Sequence, residues 1–182
     1  MSMNLTLHTV MNRDIDDVLD EPYRFYKLRD GEIADEDMIS EFDITRQRAI
    51  KEWEAASKAE VCELGWSFSG IHYLLNEKVD LTGSSFPLNF LLSQDRSGLE
   101  IGWWPVNFFY SQEVKDISNV LNNLDIDSLK TRYDPQKFTD LKIYRSPWSQ
   151  EDGLMLIGKL KDVRDFLNKA VLNGLGLYIT CI

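Results

Sequence analysis

The sequence predicts a single α+β domain with a small, mainly antiparallel sheet that includes both terminal strands, packed by several helices. Three observations lead there. Residues 3–8 alternate apolar and polar, the period of a half-buried strand. Residues 175–182 are apolar and β-branched enough for a closing strand. Between them the strongest signals are helical, without the regular alternation of a parallel βαβ winding. The 182 residues and 21.1 kDa suit one domain spanning 1–182, with no internal repeat and no dividing linker.

Taken in order, the first strand puts His8 with Asn4 and Thr6 on its polar side, which reads as a surface histidine. Residues 14–19 form a short helix stopped by Pro22. Residues 22–34 show no clear period. From Asp43 a helix with a sparse stripe of Ile44, Ile50 and Trp53 is expected. A stronger helix covers 60–76, where Leu64, Phe68, Ile71 and Leu75 recur at i, i+4, i+7 and i+11. His72 falls on or beside that stripe and reads as a core histidine whose ring donates to a backbone carbonyl. Residues 81–98 form a loop with an apolar insert. Residues 99–110 are densely aromatic, and Pro105 divides them into a strand, a break and a further extended piece. Ser111 caps an amphipathic helix over 112–124 carrying Val114, Ile117, Val120, Leu121 and Leu124. Residues 125–133 add a helical turn or two, and Asp134-Pro135 is a capping carboxylate before a first-turn proline. A long helix over 152–173 carries Leu156, Leu160, Val163, Phe166, Leu167, Ala170 and Val171, and Gly174 stands where a left-handed C-cap belongs.

Thirty acidic against 20 basic residues give a net charge of -10. Such a chain is repelled by phosphate backbones and anionic lipid, so neither nucleic acid nor membrane is expected as a partner. The charge is uneven: residues 1–63 hold 8 basic and 16 acidic side chains, and Asp35, Glu36, Asp37, Glu41 and Asp43 form the densest part. These five are candidate docking residues for a basic partner. Cys62 and Cys181 make no C-x-x-C spacing, and with His8 and His72 the only histidines a zinc site of the usual kind lacks ligands. No metal and no cofactor are expected. The N-terminus lacks a basic region followed by a long apolar run, and no stretch approaches the roughly 20 apolar residues that span a bilayer. A cytoplasmic location is the expectation.

The phosphate loop, the dinucleotide-binding glycine turn and the nucleophile elbow are all missing from the sequence. What stands out instead is a set of large amphipathic rings: Trp66, Trp103, Trp104, Tyr110, Tyr144 and Trp148. With His72 they are either filling between sheet and helices or the lining of a binding pocket.

Several short pieces, in order, resemble the YfbM-like family, a bacterial family known as a domain of unknown function. Met1-Ser2-Met3 is near the family's Met-Gly-Met start, and the run from Trp66 through His72 to Leu75 matches its Trp, gap, Leu-His-Phe-Leu-Leu pattern. Pro87-Leu88, then Gly102 through Phe109, then Ser111-Gln112-Glu113-Val114 follow, with Tyr133-Asp134-Pro135 and Ile143-Tyr144 before Trp148. Trp104 replaces the family's glycine before Pro105, and Arg145 its proline after Ile-Tyr. The resemblance covers about 64–182, more weakly 1–22, and leaves an acidic, family-variable segment at about 23–60. It implies a compact α+β bacterial cytosolic domain and supplies no reaction.

Two functional expectations follow. The first is a non-enzymatic protein-binding module, most concretely an immunity-type inhibitor meeting a basic toxin domain. The second is an enzyme or small-ligand domain with an aromatic pocket around His72, Trp66, Trp104 and Tyr110. A histidine followed by a glycine–aromatic extended segment is similar to NAD-using ADP-ribosyl transferases, although the late glutamate of that chemistry is not identifiable here.

Overall fold

The computed structural model describes residues 3–21, 24, 60–80, 84–92, 100–101, 104–144 and 147–181. Along the chain these form β1 (Leu5–Val10), α1 (Asn12–Asp20), β2 (Val61–Gly65), α2 (Phe68–Asn76), a 3-10 turn (Phe90–Leu92), β3 (Glu100–Ile101), β4 (Trp104–Pro105) and β5 (Asn107–Phe109). They continue with α3 (Ser111–Asn123), a 3-10 stretch (Ile126–Arg132), α4 (Pro135–Asp140), α5 (Gln150–Leu172) and β6 (Gly176–Cys181). The helix expected from Asp43 lies outside the described residues.

Four strands form one antiparallel sheet in the order β2-β1-β6-β5, and β3 pairs with β4 as a separate hairpin. The two terminal strands are therefore the centre of the sheet, joined along six residue pairs from Leu5↔Cys181 to Val10↔Gly176. Strand alternation sorts the side chains onto two faces. Leu5 and Leu7 of β1, Leu64 of β2, Leu177 and Ile179 of β6 and Phe109 of β5 enter the main core under α2, α3 and α5. Val10, Phe108 and Tyr178 face the other way and pack with Ile15 and Val18 of α1 in a smaller cluster.

The helix expected over 60–76 is two elements. Residues 61–65 are the edge strand β2, and only Phe68–Asn76 is helical. Leu64 and Phe68 do share the core, four residues apart, but one reaches it from a strand and the other from a helix. Gly65 makes the break at φ +57, in the left-handed region that a continuing α-helix cannot use. The Ser67 hydroxyl then donates to the Leu64 carbonyl, and the Ile71 amide donates to the Ser67 carbonyl to begin α2.

Other boundaries follow local chemistry. Asp134 accepts from the Gln136 and Lys137 amides at 2.9 and 3.2 Å with Pro135 in the first turn. Ser149 and Asp152 form a reciprocal capping box at the start of α5. Gly174 follows α5 at φ +66. Arg132 stitches the 3-10 stretch to the end of α2, donating to the Leu74 carbonyl at 2.8 Å and pairing with Glu77 at 3.1 Å.

A side-chain hydrogen-bond network joins α3 and α5 at the solvent edge of their contact. The buried Ser118 hydroxyl donates to Asn168 Oδ1 at 2.6 Å, and the Asn122 and Asn168 amides donate to each other's oxygens at 2.8 and 3.1 Å. Replacing Asn168 with Leu leaves the Ser118 hydroxyl buried without its acceptor, so Asn168→Leu is expected to lose about 1–3 kcal/mol by urea denaturation. An unchanged midpoint would mean that water supports the pair equally well. Cys62 and Cys181 are free and sit on strands flanking β1. Two strand spacings, about 10 Å, exceed the roughly 7 Å that a disulfide spans.

Candidate functional site

Two of the rings singled out in the sequence meet directly, and a third, Tyr144, packs on the same core. Trp66, in the turn between β2 and α2, meets Trp148 edge-on at 5.5 Å between centroids. Trp148 meets Phe138 at 5.1 Å and Tyr133 at 6.3 Å, and Tyr73 closes the chain of rings against Phe138 at 5.0 Å. Tyr144 lies over Phe68 at 6.1 Å, and its hydroxyl accepts the Met3 amide at 2.7 Å. Two helical glycines admit this layer. A Cβ on Gly70 would sit 2.8 Å from Trp148 Cη2, and one on Gly153 would sit 2.5 Å from Tyr133 Cδ1. Trp148 is buried, and its indole N–H donates to the Ile143 carbonyl at 3.0 Å. Trp66 and Tyr144 are half-buried. Burial, with the charges of Asp152 and Asp134, pushes the Tyr133 hydroxyl up to about 12.

His72 has no exposed surface. Its Nε2–H donates to the Asp80 carbonyl at 3.2 Å, and the Asn76 amide approaches Nδ1 at 3.4 Å while donating to the His72 and Leu88 carbonyls. That pattern sets the Nε2–H tautomer. Burial holds the ring below the usual histidine range, against the opposing pull of the Asp80 carbonyl and carboxylate. His72 is thus built into the core, bonded as a structural histidine is.

Tyr110 stands apart. It packs on the α1 side of the sheet, whereas Trp66 and Tyr144 pack on the main core. Its hydroxyl donates to Asp16 at 2.7 Å, and this bond first, then burial and nearby carboxylates, pushes it up to about 12. A pocket lined jointly by Tyr110, Trp66 and His72 is therefore not assembled. Trp104 contributes backbone to β4, while Trp103 and the docking candidates Asp35, Glu36, Asp37, Glu41 and Asp43 lie outside the described residues.

The sheet face under α1 holds what the sequence reading missed. His8 is half-buried and stacks on Tyr178 with centroids 4.4 Å apart and planes 3° apart, its Nε2 3.4 Å from the Thr180 hydroxyl. Burial lowers it to about 4. The alternation that put His8 opposite the core was right; the partner strand, 172 residues away, turned that polar side into a stacked surface. Around this face Asp16 and Asp20 of α1 and Glu63 of β2 are exposed. Arg24 neutralises part of it, bonding Glu21 at 2.8 Å and Asp17 at 3.3 Å. Among the described residues, no three of His, Cys, Asp and Glu group as metal ligands would.

The fold and this inventory define a small α+β domain of two unequal cores on one antiparallel sheet. The chain belongs to the family described as domain of unknown function DUF1877, whose profile matches residues 1–180. The crystal structure of YfbM from Escherichia coli, a protein of unknown function, superposes with a TM-score of 0.63 at 12% sequence identity, covering 98% of this chain and 99% of that one. The YfbM-like fold suggested by the motifs is thereby the fold observed. No curated protein matches the chain. No helix among the described residues is long and apolar enough to cross a membrane.

Proposed function

We propose that the chain is a non-catalytic protein-binding module, most concretely an immunity-type inhibitor that meets a basic toxin domain through its acidic N-terminal third. The observation that carries this reading is the charge asymmetry: a balance of -8 within residues 1–63 of a chain whose total is -10. The described part of that third supports it, since α1 and β2 turn Asp16, Asp20 and Glu63 outward around one face of the sheet. Opposite charge raises the encounter rate and rejects acidic competitors. Tyr144, Trp148 and His72 take no part in this reading, because each has a polar atom engaged within the fold.

Neutralising Asp35, Glu36, Asp37, Glu41 and Asp43 together to Asn or Gln tests it. The variant is expected to stay folded and to recover a basic partner several-fold less well in pull-downs from the native cell. Recovery by the unaltered chain should fall as salt is raised. Equal recovery by both proteins would remove the reading's main support.

A further inference from the structure

Several buried polar side chains among the described residues have partners within the fold. Thr9 bonds Glu60, Ser67 bonds Leu64, His72 bonds Asp80, and Ser118 bonds Asn168. Asn107 is different. It is 4% exposed, pairs with Ile179 on β6, and points with Phe109 to the core side of β5, yet among the described residues its Oδ1 has no hydrogen-bond partner. A buried acceptor left unmade costs about 1–3 kcal/mol, so a residue of that kind at a core position calls for a reason. A second amide oxygen is in the same condition: Asn89 Oδ1 is also buried without a partner. The two belong to touching parts of the fold. Phe86, three residues before Asn89, lies over Phe109, two residues after Asn107, with centroids 6.2 Å apart and planes 14° apart.

We propose that Asn107, with Asn89, marks a small-ligand site between residues 84–92 and β5. Two orphaned acceptors beside a pair of stacked rings fit one chemical class: a planar aromatic molecule bearing an –NH2 group, as a primary carboxamide or an aminopurine does. Its two N–H bonds would each satisfy an amide oxygen, and its ring would pack on Phe86, the partly exposed member of the stacked pair. This proposal draws on neither the acidic residues nor the Trp66–Trp148 contact, so it stands or falls independently of the protein-binding reading.

The test is titration of the full chain with benzamide and with adenine, using benzoate as the ring without a donor, followed by calorimetry and thermal shift. Benzamide or adenine is expected to bind and raise Tm, and benzoate is not. Asn107→Leu is expected to fold with equal or greater stability and to bind at least tenfold more weakly. If the leucine variant does not fold, Asn107→Ser and the wild-type Asn107 side-chain amide resonance, which should shift on titration, give the same reading. Binding that is unchanged in the Asn107 variants, benzoate binding as tightly as benzamide, or no binding of either amino probe at millimolar concentration would each overturn the proposal. The last result would mean that ordered water satisfies the two oxygens.

Discussion

Trp148→Ala is expected to destabilise the domain by about 3–5 kcal/mol, the range for emptying a large aromatic from a core. Three losses add. The ring is 7% exposed and is gripped edge-on by Trp66, Phe138 and Tyr133, so its removal opens a cavity lined by rings that cannot all collapse inward. The Ile143 carbonyl loses the indole N–H. The surface of α2 at Gly70 loses the group for which it was left bare. Trp148→Phe restores most of the volume but not the donor, and is expected to cost about 1–2 kcal/mol. Urea denaturation followed by far-UV circular dichroism separates the two. An alanine variant within about 1 kcal/mol of wild type would show that the aromatic layer is not part of the cooperative core.

The helices with strong periodicity were legible because their signals are local. Asp134-Pro135 and Gly174 sit where capping chemistry puts them, the cap expected at Ser111 falls one residue earlier at Tyr110, and α3 and α5 bury most of the residues that their spacing selected, with Val120, Leu124 and Val171 half-buried. Both terminal strands were legible for the same reason: alternation over six residues marked the first, and an apolar, β-branched run marked the last. The failure at 60–76 came from a spacing that two structures share. Leu64, Phe68, Ile71 and Leu75 all reach the core, so the helical stripe was real from Phe68 onward and accidental before it. The residue that breaks the stripe is Gly65, whose positive φ is a property that sequence allows but does not announce. Candidate residues fared according to how local their environment is. His72 is satisfied by Asp80 and Asn76, eight and four residues away, and a core role was readable. The separation of Tyr110 from Trp66 was not, because it depends on which face of a sheet each element meets. Nor was Asn107, a polar residue within the apolar run 104–110 whose meaning depends on partners that only folding brings near.

The second large effect is acid sensitivity between pH 6.5 and about 4. Both histidines are held below their ordinary value by burial, His8 to about 4. Above pH 6.5 each ring is neutral whether the chain is folded or not, and stability does not depend on these protons. As pH falls through 6.5 the unfolded chain takes up protons that the folded chain refuses, so unfolding is favoured progressively. Below about 4 His8 is protonated in both states and adds nothing further. From 6.5 to about 4 the bound is roughly 3 kcal/mol for His8, and its partial contact with solvent brings the expectation to about 1–2 kcal/mol. His72 acts in the same direction. His8→Phe isolates the effect, because a phenyl ring retains a planar face for Tyr178 and removes the titrating nitrogen; only the long contact to the Thr180 hydroxyl is lost. Urea midpoints at pH 7, 6 and 5 are expected to fall faster for wild type than for His8→Phe, with the carboxylates that both proteins share cancelling in the difference. Adding His72→Leu should flatten the profile further at a lower absolute stability, since the Asp80 carbonyl then loses its donor. Parallel profiles for wild type and His8→Phe would mean that His8 titrates at its ordinary value in the folded protein, and that the stack on Tyr178 is open to water.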